Sequence, residues 1–204
     1  VSLYDVQQRK ATAEVSTTGV RYAVWSPDGS HVALLLKHVL IICTRKLEQV
    51  CLVHETIRIK SGAWDGNSVF VFSTLNHIKY CIVNGDSGVI RTLDTPVYIF
   101  HTANGNVHCI DRSAKVHRIV IDTTEYQFKL ALMNKEFDRV IRIMKGSKLS
   151  CNAIIAYLQK KGFPQVALHF VTDPQTRFNL ALECGNIDIA QQVAAELDTK
   201  ENWH

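Results

Sequence analysis

The sequence has no long apolar run, no close pair of cysteines and no recognisable leader. Its most apolar stretch, residues 32–43, is interrupted by Lys37 and His38 and is shorter than the roughly 20 residues that a membrane-spanning helix needs. The six cysteines show no CxxC and no short Cys/His spacing, which argues against a zinc motif and against a disulfide framework. No signal peptide is visible. We therefore expect buried thiols and a cytoplasmic protein.

Neither part of the chain carries a large excess of one charge sign. Residues 1–125 carry 13 Lys/Arg against 11 Asp/Glu, and residues 126–204 carry 10 against 8, so that each part contributes +2 to the net charge of +4. A nucleic-acid-binding protein would show a basic patch, and we expect no nucleic-acid partner. The hydrophobic content of 47% and charged content of 21% are typical of a globular protein with sizeable cores.

What the sequence does contain is repetition, first with a β-strand pattern. Trp25 and Trp64 lie 39 residues apart, as do Gly66 and Gly105, and each set marks a tight turn that leads into an apolar run. This period fits a propeller blade of about 40 to 45 residues. The Asp-Gly and Asn-Gly turns fit as well, because such turns join the antiparallel strands of a blade. Residues 1–125 are thus predicted to form the C-terminal blades of a β-propeller: half a blade, two complete blades and a three-stranded blade.

From residue 126 the apolar period becomes helical. Phe128 and Leu132 recur fifty residues later as Phe178 and Leu182, and the intervening apolar spacing is that of amphipathic helices. We expect Phe137 to join these four side chains between stacked hairpins. Residues 126–204 are predicted to form the first hairpins of an α-solenoid, with no Gly/Ser/Pro linker before them. The six predicted helices lie near 126–134, 136–145, 150–161, 164–171, 174–184 and 186–198.

Local signals mark the ends of these helices. Gly162 and Gly185 stand where C-terminal caps are expected, and Asp173-Pro174 is typical of an N-cap followed by proline at the first helical position. The half blade at the start and the uncapped apolar face near the end favour a fragment of a longer protein. We expect further blades upstream and further hairpins downstream.

No constellation of reactive side chains predicts catalysis, a cofactor or a metal. His101, His108 and Cys109 lie across one predicted hairpin, yet two or three ligands without a carboxylate make a poor zinc site. Cys151 and Cys184 lack an activating base motif. Several aspartates stand beside turns, where they bond the local backbone. These are Asp28, Asp65, Asp86 and Asp111.

One charged stripe is a candidate contact surface. Lys135, Arg139 and Arg142 recur at steps of four and three residues along the second predicted helix, with Lys145 and Lys148 beyond them. Such a stripe suits an acidic partner or phospholipid headgroups. The alternative is an ordinary solvated face, because neighbouring acidic residues dilute its charge.

Long strings of the sequence carry a family resemblance. Residues 154–171 (IIAYLQKKGFPQVALHFV) and 176–187 (TRFNLALECGNI) closely resemble the alpha-subunit family of the coatomer, the COPI vesicle coat. Residues 31–35, 60–65, 76–80 and 90–94 look like the second propeller of the same family. The resemblance therefore covers essentially the whole chain.

This resemblance implies a structural scaffold rather than an enzyme. Its members belong to a cytosolic complex that a small GTPase recruits to Golgi membranes for intra-Golgi and Golgi-to-ER transport. The resemblance implies contact with other coatomer subunits, chiefly beta-prime through the solenoid. It also implies that cargo tails bind an upstream propeller that this chain does not contain.

Two alternatives remain open from the sequence. The chain suits a scaffold of another trafficking complex, such as an intraflagellar or clathrin-like coat. It also suits a propeller module that recognises a short peptide or ubiquitin. In that case Trp25, Trp64 and Tyr98 would line a pocket, whereas a scaffold would bury them.

Overall fold

The computed structural model describes residues 1–146 and 151–197. Contacts divide the chain into two compact units, Val1–Leu130 and a second that begins at Ala131. Lys148 of the candidate stripe and the predicted last residue of the sixth helix, residue 198, lie outside the described residues.

The first unit contains four small antiparallel sheets in which each strand pairs with its neighbour in sequence. They hold two, four, four and three strands, which confirms the predicted blade pattern. Sheet 1 comprises β1 (Ser2–Asp5) and β2 (Lys10–Glu14); sheet 2 comprises β3 (Tyr22–Trp25), β4 (His31–Leu35), β5 (Val39–Thr44) and β6 (Gln49–His54); sheet 3 comprises β7 (Ser61–Asp65), β8 (Val69–Ser73), β9 (His77–Ile82) and β10 (Ser87–Thr92); sheet 4 comprises β11 (Tyr98–Ala103), β12 (Asn106–Ile110) and β13 (Val116–Val120).

Tight turns set the repeat of these sheets. Gly29 and Gly66 both have φ of 69°, and Asn104 and Gly105 have φ of 51° and 72°. Positive φ values are what the predicted Asp-Gly and Asn-Gly turns require. The aromatic residues before the turns belong to strands, because Trp25 ends β3 and Trp64 lies within β7.

The cores of the first unit lie between successive sheets. Every residue of β8 is buried, and four of the five residues of β4 are buried. Both faces of such a strand are covered by neighbouring sheets, which explains why its sequence is a continuous apolar run. The bond from Trp64 Nε1 to the Val24 carbonyl (2.8 Å) crosses from sheet 3 to sheet 2, and that from Thr102 Oγ1 to the Trp64 carbonyl (2.6 Å) crosses from sheet 4 to sheet 3.

Six helices follow within the described residues, and they confirm the predicted change of period. α3 and α4 pack together, as do α5 and α6. The helices are α1 (Thr124–Met133), α2 (Phe137–Gly146), α3 (Cys151–Lys160), α4 (Pro164–Ala167), α5 (Pro174–Glu183) and α6 (Ile187–Leu197).

The fourth helix is the clearest correction, since it ends at Ala167 rather than at residue 171. The N–H groups of His169 and Phe170 bond the carbonyls of Val166 and Ala167, three residues back. Bonds of this kind tighten the chain into turns and stop the α-helical ladder. Apolar spacing alone does not reveal where that tightening begins.

Three helices end in the same capping geometry. After α1, Lys135 donates to the Leu132 carbonyl and Glu136 to the Ala131 carbonyl, which are the two bonds of a Schellman motif. The same pair of bonds follows α3 and α5, with Gly162 and Gly185 in the left-handed position. Their φ values are 80° and 67°, and that of Lys135 is 59°. The glycine caps were predicted, whereas the lysine cap was not.

Candidate functional site

The start of α1 is anchored by a pair of tyrosines in the first unit. Tyr126 is fully buried in the cluster formed by sheets 3 and 4, and its ring lies 5.4 Å from that of Tyr80 in β9. Tyr126 Oη donates to Asp65 Oδ2 at 2.7 Å. Burial raises the pKa of Tyr126, and the hydrogen bond to Asp65 raises it further. The phenol is therefore held protonated as a donor.

Three mutually hydrogen-bonded side chains also join α1 to sheet 3. Tyr80 Oη donates to Glu125 Oε1 at 2.7 Å, while Lys129 Nζ donates to both of these oxygens at 2.7 and 2.8 Å. Gly88 of β10 makes room for the Tyr80 ring, because a Cβ there would lie 2.6 Å from Tyr80 Cε1. Together, these contacts join residues 125–129 to the third sheet.

Two residues of the candidate stripe, Arg139 and Arg142, belong to α2. The prediction that Lys135 lies on the same helix was wrong, because Lys135 precedes α2 and caps the end of α1. Lys135 and Arg142 are exposed and Arg139 is half-buried, while Val140 and Met144 are buried on the other side of the helix. The three cationic residues line one shallow depression together with Phe137 and two carboxylates. The structure therefore brings the three predicted residues together.

One acidic neighbour, Glu136, partly neutralises this stripe. Arg139 Nη1 lies 3.0 Å from Glu136 Oε2, and this hydrogen bond lowers the pKa of Glu136. Arg142 Nε donates to the Asp138 carbonyl at 3.4 Å. An exposed ion pair of this type contributes about 0 to 1 kcal/mol, so the stripe adds little to stability.

The second unit contains a groove that the sequence did not reveal. It measures about 560 Å³ and lies between α2, the segment around α4, and the end of α5. The rings of Phe137 and Phe163 meet there at an interplanar angle of 60°, with centroids 5.9 Å apart. Phe137 remains 36% exposed and Leu182 54% exposed. The expectation that both would be buried between hairpins was therefore wrong, whereas Phe128, Leu132 and Phe178 are buried as predicted.

The aromatic residues proposed for a recognition pocket do not converge. Trp64 is buried, while Trp25 and Tyr98 are 41% and 37% exposed. Trp25 lines a depression with Asp28 and Arg45, and neither Trp64 nor Tyr98 contributes to it. The expectation that a scaffold would bury all three holds only for Trp64.

A serine, histidine and aspartate cluster in the turn after β3 does not have the order of a catalytic triad. Asp28 Oδ1 accepts from Ser26 Oγ at 2.7 Å and from Ser30 Oγ at 2.8 Å, and Ser30 Oγ also contacts His31 Nδ1 at 2.8 Å. A triad needs the carboxylate on the histidine rather than on the serine. Bonds from the Ser30 backbone and from the two hydroxyls lower the pKa of Asp28 to about 2. This is turn chemistry, as predicted for Asp28.

The histidines of the fourth sheet lie where the strand pattern put them. His101 pairs with His108 across β11 and β12, with ring centroids 5.6 Å apart. Cys109 is buried. Among residues 1–146 and 151–197, no group of three His, Cys, Asp or Glu side chains is placed to hold a metal ion. Within the same ranges, no helix has the length and apolar character to cross a bilayer.

Small radial sheets followed by capped helix pairs define a class of scaffold protein that combines a β-propeller with an α-solenoid. Comparison with known proteins agrees. Residues 1–111 match the family described as COPA/B second beta-propeller, and residues 126–204 match the COPA/B TPR domain. The chain belongs to the coatomer alpha-subunit family.

Curated relatives from plants and yeast match along the whole chain. Coatomer subunit alpha-2 of Arabidopsis thaliana is 55% identical over 204 residues, and coatomer subunit alpha of Saccharomyces cerevisiae is 48% identical over 203 residues. The match covers 100% of this chain and 17% of each relative, so the chain spans about a sixth of their length. The computationally designed Ika4 protein superposes on 59% of the chain and 79% of its own, with a TM-score of 0.48 and 12% identity.

Proposed function

We propose that this chain is a structural segment of the COPI coat, acting in Golgi-to-ER and intra-Golgi transport without performing a chemical step. The observation that carries the proposal is the match to coatomer alpha subunits along the whole chain, from the propeller strands into the helix pairs. The proposed location is cytoplasmic, at the periphery of Golgi membranes and COPI vesicles. No cofactor is required for such a role.

The two parts of the chain have distinct proposed roles. Residues 1–125 are the closing blades of the propeller, and residues 126–204 begin the solenoid. The burial of Tyr126 and its bond to Asp65 support a firm start for the helical part, because they hold the first turn of α1 against the third sheet. A coat subunit that transmits geometry needs such a start.

The proposed partners are the other coatomer subunits, chiefly beta-prime through the solenoid. Membrane association is indirect, through the assembled coat and a small GTPase, and cargo tails bind an upstream propeller. The alpha-subunit match favours this assignment over an intraflagellar or clathrin-like coat. The dispersed positions of Trp25, Trp64 and Tyr98 count against a peptide or ubiquitin pocket.

Within this scaffold, Lys135, Arg139 and Arg142 are the proposed contact with an acidic surface of a partner subunit. The backbone at Lys135 supports the proposal. Lys135 has a positive φ at the position that Gly162 and Gly185 occupy in the other two caps. A side chain there costs about 1 to 2 kcal/mol relative to a right-handed conformation. A charged side chain in a strained backbone position is consistent with a use for its charge.

Affinity capture of the full-length chain tests both levels of the proposal. The test variant carries Arg139→Glu and Arg142→Glu, and the control carries Arg45→Glu and Lys46→Glu, two exposed charges of the β5–β6 turn. We expect wild type and control to recover the other coat subunits and the stripe variant to lose beta-prime.

If both variants recover beta-prime equally, the proposed contact through the stripe is refuted, while the assignment to the coat stands. Failure of the wild-type chain to recover any coat subunit would overturn the assignment itself.

A further inference from the structure

Two cysteines from neighbouring sheets meet in the first unit. Cys51 lies in β6 of sheet 2 and Cys81 in β9 of sheet 3, and their Sγ atoms are 3.9 Å apart. Both sulfurs also approach the Ile82 carbonyl oxygen, at 3.9 Å from Cys51 and 3.4 Å from Cys81. A disulfide bond is about 2.05 Å long, so the two Sγ atoms must approach by about 2 Å to form one, a distance within the reach of side-chain rotation.

The two thiols differ in their exposure to solvent. Cys81 is fully buried beside Phe70 and Phe72, whereas Cys51 is only half-buried. The side chain of Cys51 also faces Gly85, where an added Cβ would lie 3.5 Å from the Cys51 Cβ. An oxidant arriving from solvent therefore meets Cys51 first.

Hydrogen bonding strengthens this asymmetry. The bond with the Cys81 thiol lowers the pKa of Cys51, and backbone bonds at Ile42 and Gly85 lower it further. The same hydrogen bond between the two thiols raises the pKa of Cys81, and burial raises it further. Because the thiolate is the nucleophile, Cys51 is the more reactive member of the pair. Cys81 stays protonated until the second step of the reaction.

We propose that Cys51 and Cys81 form a reversible disulfide that links sheets 2 and 3, with Cys51 reacting first with a hydroperoxide and Cys81 resolving the product. The proposal adds a covalent modification site to the scaffold and does not depend on its partners.

The reaction balances in two steps. The Cys51 thiolate attacks the terminal oxygen of hydrogen peroxide, the O–O bond breaks, and the departing hydroxide takes a proton to leave as water. Cys51 is then a sulfenic acid. Cys81 loses its proton and attacks the Cys51 sulfur, the S–O bond breaks, and a second water leaves. Two thiols are oxidised to one disulfide while one peroxide is reduced, and a dithiol reverses the step by exchange.

Other cysteines serve as internal comparisons. Cys43 and Cys109 are fully buried, and burial raises the pKa of each thiol. They should therefore stay reduced while the pair reacts.

The test is thiol mapping on the full-length chain, purified with its native partners. The folded protein is treated with hydrogen peroxide, its remaining thiols are alkylated before denaturation and again after it with a second isotopic label, and the peptides are identified by mass spectrometry. We expect a Cys51–Cys81 cross-linked peptide to form at least tenfold faster than oxidation of Cys109, and dithiothreitol to remove it.

The variants separate the two roles. Cys81→Ser should accumulate a sulfenic acid at Cys51 that dimedone traps, while Cys109→Ser should still form the cross-link. The proposal is overturned if wild-type Cys51 and Cys81 are both recovered as free thiols after oxidation. It is equally overturned if Cys51 proceeds to sulfinic acid while Cys81 remains a free thiol.

Discussion

Replacing Tyr126 with phenylalanine isolates the contact that holds the start of α1. The substitution keeps the ring that packs 5.4 Å from Tyr80 and removes only the hydroxyl that donates to Asp65 at 2.7 Å. Apolar burial is therefore unchanged to first order. Any loss of stability must come from the polar contacts of the hydroxyl, chiefly the bond to Asp65 and with it the interaction with the Thr123 side chain, and from the carboxylate that loses its donor.

The size of this loss follows from the charge of the acceptor. Hydrogen bonds to charged groups contribute about 1.5 to 3 kcal/mol, roughly twice the value for neutral pairs. Asp65 is only half-buried, so water can replace part of the lost bond and the lower end of the range applies. A loss of about 1.5 kcal/mol corresponds to roughly a tenfold increase in local opening.

Amide hydrogen exchange of the full-length chain measures that opening locally. In the variant Tyr126→Phe, amides of α1 should exchange about tenfold faster, while those of β4 and β5 should not change. Tyr98→Phe is the matched control, because the Tyr98 side chain is 37% exposed in the same unit. Unchanged α1 exchange, or an equal effect of the control, would show that the bond to Asp65 does not hold the helix.

The remaining predictions concern pH, backbone conformation and packing. Because the pKa of Tyr126 is raised above its ordinary value of 10.0, its contribution is complete below that pH and is lost as the pH rises beyond it; denaturant titrations should show this alkaline loss in the wild type and a smaller one in Tyr126→Phe. Lys135→Gly should stabilise the cap of α1 by about 0.5 to 1 kcal/mol, measured by slower amide exchange there. Gly62→Ala should destabilise the first unit by about 1 to 3 kcal/mol, because a Cβ would lie 2.5 Å from a Phe70 carbon and 2.8 Å from a backbone oxygen; Gly146→Ala, at an open site, should cause no loss in the same denaturation assay. The Thr176 hydroxyl and backbone N–H lower the pKa of Asp173, so this N-cap stabilises α5 above the ordinary aspartate pKa of 3.8 and loses its effect as the pH falls through the lowered value; exchange of the first turn of α5 should accelerate over that range in the wild type but not in Asp173→Ala.

Most of the fold followed from the sequence because its signals are local and repeated. Asp-Gly and Asn-Gly turns at fixed spacing predicted the hairpins, and the structure has the predicted two, four, four and three strands. Gly162, Gly185 and Asp173 predicted helix ends for the same reason, since a cap involves residues close in sequence. The predicted length of α4 was wrong, because apolar spacing does not distinguish an α-helical turn from a tighter one.

The candidate sites depend on contacts that no period encodes. Tyr80 and Tyr126 belong to segments with different repeats, and Cys51 and Cys81 are 30 residues apart on different sheets. The cysteine pair becomes visible only when sheets 2 and 3 are stacked, and the tyrosine pair only when α1 is packed on sheet 3. The stripe is the opposite case in part. Arg139 and Arg142 share one face of α2, as helical periodicity predicted, whereas Lys135 lies before that helix in the cap of α1.

Lys135 shows how stability and a proposed contact can compete at one position. In the caps after α3 and α5 the left-handed residue is glycine, which adopts positive φ without steric cost. Glycine after α1 would remove about 1 to 2 kcal/mol of strain, offset in part by its greater loss of backbone freedom on folding, and would remove one charge from the stripe. If the charge meets a partner, Lys135→Gly makes the chain more stable and the complex weaker. If the charge only faces solvent, the same substitution stabilises the chain and leaves partner recovery unchanged, so measuring both quantities on one variant separates packing from recognition.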